Sequence, residues 1–199
     1  IVGLITEYNP FHNGHLYHIE ESKRLTGADM AVVVMSGDYV QRGTPAIMPK
    51  RLRAEMALKC GAAAVFELPV CYAAGSAEYF ALGAVSLLQK LGIVDFLCFG
   101  SECNNLQALQ QAADILLEEP AEYQTVLKHH LREGKSFPSA RQEALAEYTE
   151  SEGISFLLND PNNILGIEYL KALKKLNCSI TPFTIQRRGA HYHDRQINH

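Results

Sequence analysis

Four short apolar runs in the first hundred residues, each followed by a helix-length segment, most constrain the fold of this chain. The runs are Ile1–Thr6, Ala31–Met35, Ala63–Glu67 and Phe96–Phe99. They lack the polar alternation of a half-exposed strand, which is typical of strands buried on both faces of a parallel sheet. The segments between them carry helix signals, and the predicted helices are Gly14–Thr26 (ended by Gly27), Pro49–Gly61 and Ser76–Gly92. This alternation predicts an α/β fold with a doubly wound parallel sheet.

The pattern changes after residue 103. Three helix-like segments follow without a strand between them: Asn104–Leu117, Ala121–Arg132 and Pro138–Glu152. We therefore expect residues 104–159 to form a helical insertion, and residues 1–103 and 160–199 to form the α/β domain. That domain gains a further predicted helix, Asn163–Leu176, and a fifth strand, Ile180–Ile185. Pro182 within this strand favours a place at the sheet edge or at the strand start.

Charge and cysteine usage narrow the class of protein. The formal net charge is −4, which argues against a strongly basic nucleic-acid-binding chain, although a local basic patch is compatible with an acidic whole. The five cysteines show no Cys-x-x-Cys pair and no zinc-like spacing, so we interpret them as small buried hydrophobes of a reducing compartment. No apolar run has the length of a membrane span. We expect a cytoplasmic protein without a membrane partner, and no protein partner is evident.

One stretch between the first strand and the first helix contains the strongest candidates for a functional site. It runs Glu7-Tyr8-Asn9-Pro10-Phe11-His12-Asn13-Gly14-His15. Open α/β sheets bind ligands at the carboxyl ends of their strands, and a helix N-terminus offers free N–H groups and partial positive charge to a phosphate. Gly14 allows close approach to the backbone, and His12 and His15 can donate hydrogen bonds to phosphate oxygens. The alternative is that both histidines only cap the helix or lie in solvent; a metal site is the poorer hypothesis, because carboxylates and thiolates are few nearby.

The His-x-Gly-His pattern resembles the nucleotidyltransferase superfamily, which implies a Rossmann-like sheet and a nucleotide-binding role for residues 1–103 and 160–199. Longer motifs resemble the bacterial tRNA(Met) cytidine acetate ligase family. They are Glu7–His18, Met35–Gly43, Phe66-Glu67-Leu68-Pro69, Phe99-Gly100-Ser101-Glu102 and Asn162–Leu170. The resemblance implies an ATP-dependent ligase that activates acetate as acetyl-adenylate. It then transfers the acetyl group to N4 of the wobble cytidine of elongator tRNA(Met), with ATP and Mg²⁺ entering together.

The resemblance and the predicted topology also imply site residues. We expect His12 and His15 to be catalytic. The residues expected to bind ATP are Ile5, Thr6, Glu7, Tyr8, Asn9, Pro10, Phe11, His12, Asn13, Gly14, His15, Leu16, Tyr17, His18, Gly100, Asn162, Asn163, Arg187 and Arg188. Gly100 follows the fourth strand, which the superfamily's strand order places beside the first. The two arginines follow the fifth strand, where a guanidinium can bind phosphate or cover adenine.

Several of these positions have plainer interpretations. Gly100 can be a simple turn glycine, the arginines a solvated pair, and Asn162 or Asn163 a helix cap. The segments Ser36-Gly37-Asp38 and Gln41-Arg42-Gly43 can bind acetate or the tRNA end, or form a mobile loop. A basic stretch at Lys50, Arg51 and Arg53 is interpreted as a solvated helix face rather than an RNA patch.

Two other functions remain open at this point. A small-molecule adenylyltransferase that makes a dinucleotide-type cofactor would use the same phosphate site, and a nucleotide-sensing or RNA-binding module would keep it without turnover. The helical stretch 104–152 favours the ligase, because small cofactor adenylyltransferases generally lack such an insertion. The family resemblance also implies a Ser/Thr-rich loop with an arginine that closes over the phosphates after the last core strand. This sequence ends before such a loop, so we expect it to be the N-terminal portion of a longer protein whose tRNA-binding region lies elsewhere.

Overall fold

The computed structural model describes residues 1–187. Its five strands are β1 (Val2–Thr6), β2 (Ala31–Ser36), β3 (Ala64–Leu68), β4 (Phe96–Ser101) and β5 (Thr181–Gln186). They form one sheet in the order β3-β2-β1-β4-β5, and every neighbouring pair is parallel. The predicted α/β fold with a doubly wound parallel sheet is therefore confirmed. The strand order reverses between β1 and β4, which is where such sheets bind ligands.

The helices follow the sequence signals closely where those signals are strong. They are α1 (Asn13–Thr26), α2 (Lys50–Lys59), α3 (Val70–Ala73), α4 (Ala77–Leu91), α5 (Leu106–Glu118), α6 (Ala121–Arg132), α7 (Phe137–Thr149), α8 (Glu152–Ser155) and α9 (Pro161–Lys175). Ser76 caps α4 and Gly92 ends it with a left-handed φ of 68°, as the sequence predicts. The short helices α3 and α8 are not predicted, because four residues are too few to show a helical period.

Burial explains why the central strands read as continuous apolar runs. Every residue of β1 and β2 is buried, because helices cover both faces of the sheet. Val2 and Leu4 contact one core cluster with Ile19 of α1 and Ala57 of α2, whereas Ile5 faces a second cluster with residues of α4 and α9. The strand β5 lies at the sheet edge, where Pro182 pairs in register with Leu97. The predicted edge position of this proline is confirmed, since an edge strand tolerates a missing N–H.

The stretch between β4 and α9 is helical, from α5 to α8. Its buried residues Leu109, Tyr123 and Leu145 belong to the same apolar cluster as Leu97 and Phe99 of β4. The division of the chain into a nucleotide-binding part and a helical insertion stays a prediction. Within the described residues, no helix is both long enough and apolar enough to cross a bilayer.

Candidate active site

The His-Asn-Gly-His turn joins β1 to α1 and lies beside β4, at the point where the strand order reverses. His12 is the N-cap of α1, in an extended conformation with φ −147° and ψ 174°. Its Nδ1 accepts a hydrogen bond from the Gly14 N–H at 3.1 Å, and Nδ1 of His15 accepts from the His12 N–H at 3.2 Å. The two side chains therefore cap the helix reciprocally, as a Ser and a Glu do in a capping box.

The capping hydrogen bonds also determine which ring nitrogen of each histidine can donate to a ligand. Because each Nδ1 accepts a backbone N–H, each neutral ring carries its proton on Nε2 and keeps that N–H as a donor. Burial lowers the pKa of His12, and the charge of Arg187 lowers it further. Burial lowers the pKa of His15 to about 3, with smaller effects from His12, His18 and Arg187. Both rings are neutral donors at pH 7, so capping does not compete with hydrogen bonding to a phosphate.

The His15 ring is held between aromatic neighbours. Its centroid lies 3.7 Å from that of His12 in a stacked arrangement, and 4.8 Å from that of Tyr8, edge to face. Phe11 completes the group at 5.5 Å. Tyr8 is 1% exposed, has a left-handed φ of 49°, and its ring centroid lies 4.8 Å from that of Phe11. These contacts restrict the His15 rotamer before any ligand arrives, which is the preorganisation that a catalytic donor needs.

His18 lies one turn further along α1. Its Nε2 donates to the carbonyl oxygen of Cys98 in β4 at 3.3 Å. Burial lowers the pKa of His18 to about 4, and Arg187 contributes in the same direction. His18 therefore joins α1 to β4 as a neutral residue, beneath the two histidines of the turn.

Gly100 and Arg187 lie across the switch point from the turn. A Cβ on Gly100 would lie 3.1 Å from Cγ of Arg187, so the arginine stem passes directly over this glycine. The Arg187 N–H donates to the Ser101 carbonyl at 3.1 Å. Its positive charge lowers the pKa of all three histidines, so the guanidinium is near enough to act on each of them electrostatically. Arg188 lies outside the described residues.

The two asparagines at the start of α9 are not its caps. Asp160 is the N-cap, because Pro161 takes the first helical position, so the capping interpretation is wrong. Asn162 donates from Nδ2 to a Glu102 carboxylate oxygen at 2.6 Å. The Asn163 amide oxygen accepts from the N–H groups of Glu102 (3.0 Å) and Cys103 (3.2 Å). Asn163 is 1% exposed and fixes the loop that follows β4. Gly100 lies within β4, paired with Ile185, so the expectation that it follows the strand is wrong.

The remaining predicted site residues lie along the same turn. Ile5 and Thr6 are buried at the end of β1, Asn9 and Pro10 are joined by a cis peptide bond, Asn13 opens α1, and Leu16 and Tyr17 are half-buried on it. Whether each of them contacts a nucleotide stays a prediction.

The loop after β2 is tied to this turn, which weighs against the mobile-loop alternative. A Glu7 carboxylate oxygen accepts the Gln41 N–H at 2.6 Å, and the Asn9 amide oxygen accepts the Ile47 N–H at 2.7 Å. Arg53, interpreted from sequence as part of a solvated face, is fully buried and donates to backbone carbonyls of both loops. The interpretation is wrong for Arg53, although Arg51 is exposed as expected. The available sequence signal was the position of Arg53 four residues before Ala57, which is buried on the same face of α2. Within residues 1–187 no group of three or more His, Cys, Asp or Glu side chains is placed to hold a metal ion.

Known proteins resemble this chain over nearly its whole length. A tRNA(Met) cytidine acetate ligase of Caldanaerobacter subterraneus subsp. tengcongensis is 58% identical over 191 residues, which cover 96% of this chain and 48% of the relative. The ligase of the same name from Acetivibrio thermocellus is 54% identical over 198 residues, or 99% of this chain and 48% of the relative. The predicted resemblance to these ligases is confirmed, and the chain spans about half the length of the curated relatives it matches.

Solved structures agree in fold. Thermotoga maritima TmcAL bound with alpha-thio ATP superposes with a TM-score of 0.90 at 45% identity, covering 94% of this chain and 46% of that one. The apo form I of the same protein gives 0.94 at 44% identity, covering 99% and 48%. The family model described as HIGH Nucleotidyl Transferase matches residues 1–199. With its buried β1, its His-Asn-Gly-His turn and its parallel sheet, this chain belongs to the HIGH nucleotidyl transferase family.

Proposed function

We propose that this chain is the ATP-binding, adenylate-forming part of a tRNA(Met) cytidine acetate ligase. One observation carries the proposal: His12 and His15 are neutral Nε2–H donors at the N-terminus of α1, opposite Arg187. Such a group of donors suits a polyphosphate whose negative charge grows during reaction. The two ligases described above, and the TmcAL structure bound with alpha-thio ATP, support the assignment.

In the proposed complex, the phosphates of ATP lie at Gly14 and His15 and the adenine lies toward Gly100. Arg187, with Arg188 after it, binds the phosphates or covers the base. The residues from Ile5 to His18 line the phosphate side, and Asn162 and Asn163 support the loop on the adenine side. ATP enters as its Mg²⁺ complex, with the ion carried mainly by the phosphates, as Mg²⁺ usually is.

The proposed reaction has two steps. An acetate oxygen attacks the α-phosphorus of ATP in line, the bond from that phosphorus to the bridging oxygen breaks, and pyrophosphate leaves. His12, His15 and Arg187 donate to the phosphate oxygens as charge builds on them. The N4 amine of the wobble cytidine of elongator tRNA(Met) then attacks the acetyl carbonyl carbon of the adenylate. Loss of AMP and of one amine proton completes the transfer, which we place in the cytoplasm.

Direct transfer fits the described residues better than an acyl-enzyme. Cys98, whose carbonyl binds His18, is fully buried, and burial raises the pKa of its thiol to about 11. A thiol that stays protonated at neutral pH is a poor nucleophile. The Cys98 side chain is therefore unsuited to hold the acetyl group.

The test is isotope exchange in the full-length protein. Labelled pyrophosphate should enter ATP when acetate is present and no other small substrate is added. Exchange that ignores acetate but responds to a phosphorylated nicotinamide, pantetheine or flavin precursor would replace the ligase with the small-molecule adenylyltransferase. If ATP binds and nothing stimulates exchange, even with tRNA present, the non-catalytic function is correct.

A further inference from the structure

Arg53 of α2 is buried completely, and its guanidinium reaches two strand ends at once. Nη1 donates to the carbonyl oxygen of Glu7, just after β1, and Nη2 donates to that of Gly37, just after β2. Nε donates to the Met48 carbonyl at 3.0 Å. These three acceptors are backbone carbonyls of the two loops at the ligand-binding edge.

The Arg53 guanidinium lies where the backbone pairing of β1 and β2 ends. The pairing of β1 with β2 ends at Thr6 and Met35, and that of β2 with β3 ends at Ser36 and Leu68, so Glu7 and Gly37 are the first residues beyond the paired parts of β1 and β2. Arg53 bridges them, because its planar fork presents several N–H groups at fixed angles. The Lys50 ammonium nearby pairs with the Glu67 carboxylate at 2.7 Å, and a Cβ on Gly37 would lie only 2.3 Å from that carboxylate. The loop therefore packs closely against α2 and β3.

Loop 37–49 touches the phosphate turn from the β2 side. The Gln41 and Ile47 amides donate to the side chains of Glu7 and Asn9 in that turn. Two further groups proposed to bind ATP, Gly100 and Arg187, lie on the other, β4 side of the turn. The two sides of the turn can therefore be disturbed separately.

We propose that Arg53 is a positioning residue that acts through Glu7 and Gly37 to hold loop 37–49 against the phosphate turn during adenylate formation. The proposal rests on the proposed ATP chemistry. We call the three hydrogen bonds of Arg53 the clamp. Its loss loosens the β2 side of the turn, so it misaligns the attacking carboxylate and the α-phosphorus, while Gly100 and Arg187 on the β4 side still hold ATP. A misplacement of about 1 Å is enough to lower a rate roughly a hundredfold.

The experiment compares R53M and R53K with R51M in the full-length protein. Arg51 lies on the same helix but is exposed, so R51M removes an equal charge without touching the clamp. We expect R53M to lower kcat for acetate-dependent pyrophosphate exchange by about thirtyfold or more, with the ATP Kd changed less than about threefold. R53K keeps the charge but not the fork, so it should recover part of the rate. R51M should match wild type.

Amide hydrogen exchange separates a clamp from general destabilisation. The Gln41 and Ile47 amides should exchange faster in R53M and R53K, whereas amides of the distant helix α6 should not. If kcat stays at the wild-type value, or if ATP affinity falls in step with kcat while both amides stay protected, Arg53 is not a positioning residue. Should R53M fail to fold, R53K decides by the same measurements. If wild type shows no acetate-dependent exchange, the proposed function fails, and the Gln41 and Ile47 amides still decide the clamp.

Discussion

The turn after β1 and the loop after β4 meet at the same edge of the sheet, but they are held in different ways. The turn is held by hydrogen bonds between residues no more than three positions apart, namely His12, Gly14 and His15. In the loop after β4, the Glu102 and Cys103 amides depend on Asn163, about 60 residues later. Local contacts leave a motif that is visible in sequence, whereas long-range contacts do not. We therefore expect substitutions in the turn to affect catalysis, and substitutions in the contacts that hold the loop after β4 to affect folding stability.

The largest effect is expected for His15→Ala, which removes the donor from the locally held turn. We expect turnover in acetate-dependent exchange to fall about a hundred- to a thousandfold, with a much smaller change in ATP affinity, because the donor acts mainly on developing charge. Isotope exchange and calorimetric ATP titration measure the two quantities. His129→Ala is the control, since that histidine lies exposed on α6. Near-wild-type turnover in H15A would leave the residue with a capping role only.

Asn163→Ala tests the long-range hydrogen bonds that hold the loop after β4. It leaves two N–H groups after β4 without their acceptor, and an unsatisfied buried polar group costs about 1–3 kcal/mol of stability. Urea unfolding monitored by circular dichroism measures the loss. Asn162→Ala, which removes one bond to Glu102, should cost less. Equal stability of N163A and wild type would show that the loop is held by other contacts.

Gly100→Ala tests whether the two regions share one ligand. The added methyl group would lie 3.1 Å from Cγ of Arg187, an exposed side chain that can move a few tenths of an ångström. We expect unfolding free energy within ~0.5 kcal/mol of wild type, as is usual for a surface change. ATP affinity should fall about tenfold, or ~1.4 kcal/mol, because Arg187 is displaced. Gly153→Ala, where the nearest atom is 3.7 Å away, is the matched control. Unchanged ATP affinity in G100A would show that the adenine does not bind at β4.

A fourth expected effect is a pH dependence of stability spread over several units. The pKa values of His15 and His18, about 3 and about 4, lie below the ordinary value of 6.5. At pH values between each lowered pKa and 6.5, the unfolded chain binds a proton that the folded chain does not. The free energy of unfolding therefore falls as pH drops below about 6.5. Urea titrations at pH 7.5, 6.0 and 5.0 should show the decline, and His15→Gln should flatten it. A slope that H15Q leaves unaltered would assign the decline to other groups.

Sequence patterns predicted the strands and most helix positions because these depend on period and on nearby end signals, whereas the neighbouring places of β1 and β4 were expected only from the superfamily resemblance. The strands β1 and β2 are buried on both faces, and their apolar runs are complete. The end of α4 at Gly92 follows from a left-handed φ that glycine adopts without strain. The prediction that an asparagine caps α9 is wrong, because Asp160 and Pro161 already supply the start of that helix.

The sequence by itself determined the parallel α/β fold, through the length and period of its apolar runs, and the phosphate-type turn, in which His12, Gly14 and His15 bond to residues two or three positions away. Only the tertiary structure decided the role of Arg53, which is an ordinary basic residue in the helix pattern and meets Glu7 only across 46 positions of sequence. It also decided the tautomers of His12 and His15 and the support of the β4 loop by Asn163. The physical reason is the same in each case. Burial and hydrogen-bond partners arise when distant segments pack, and no local period records which segments meet.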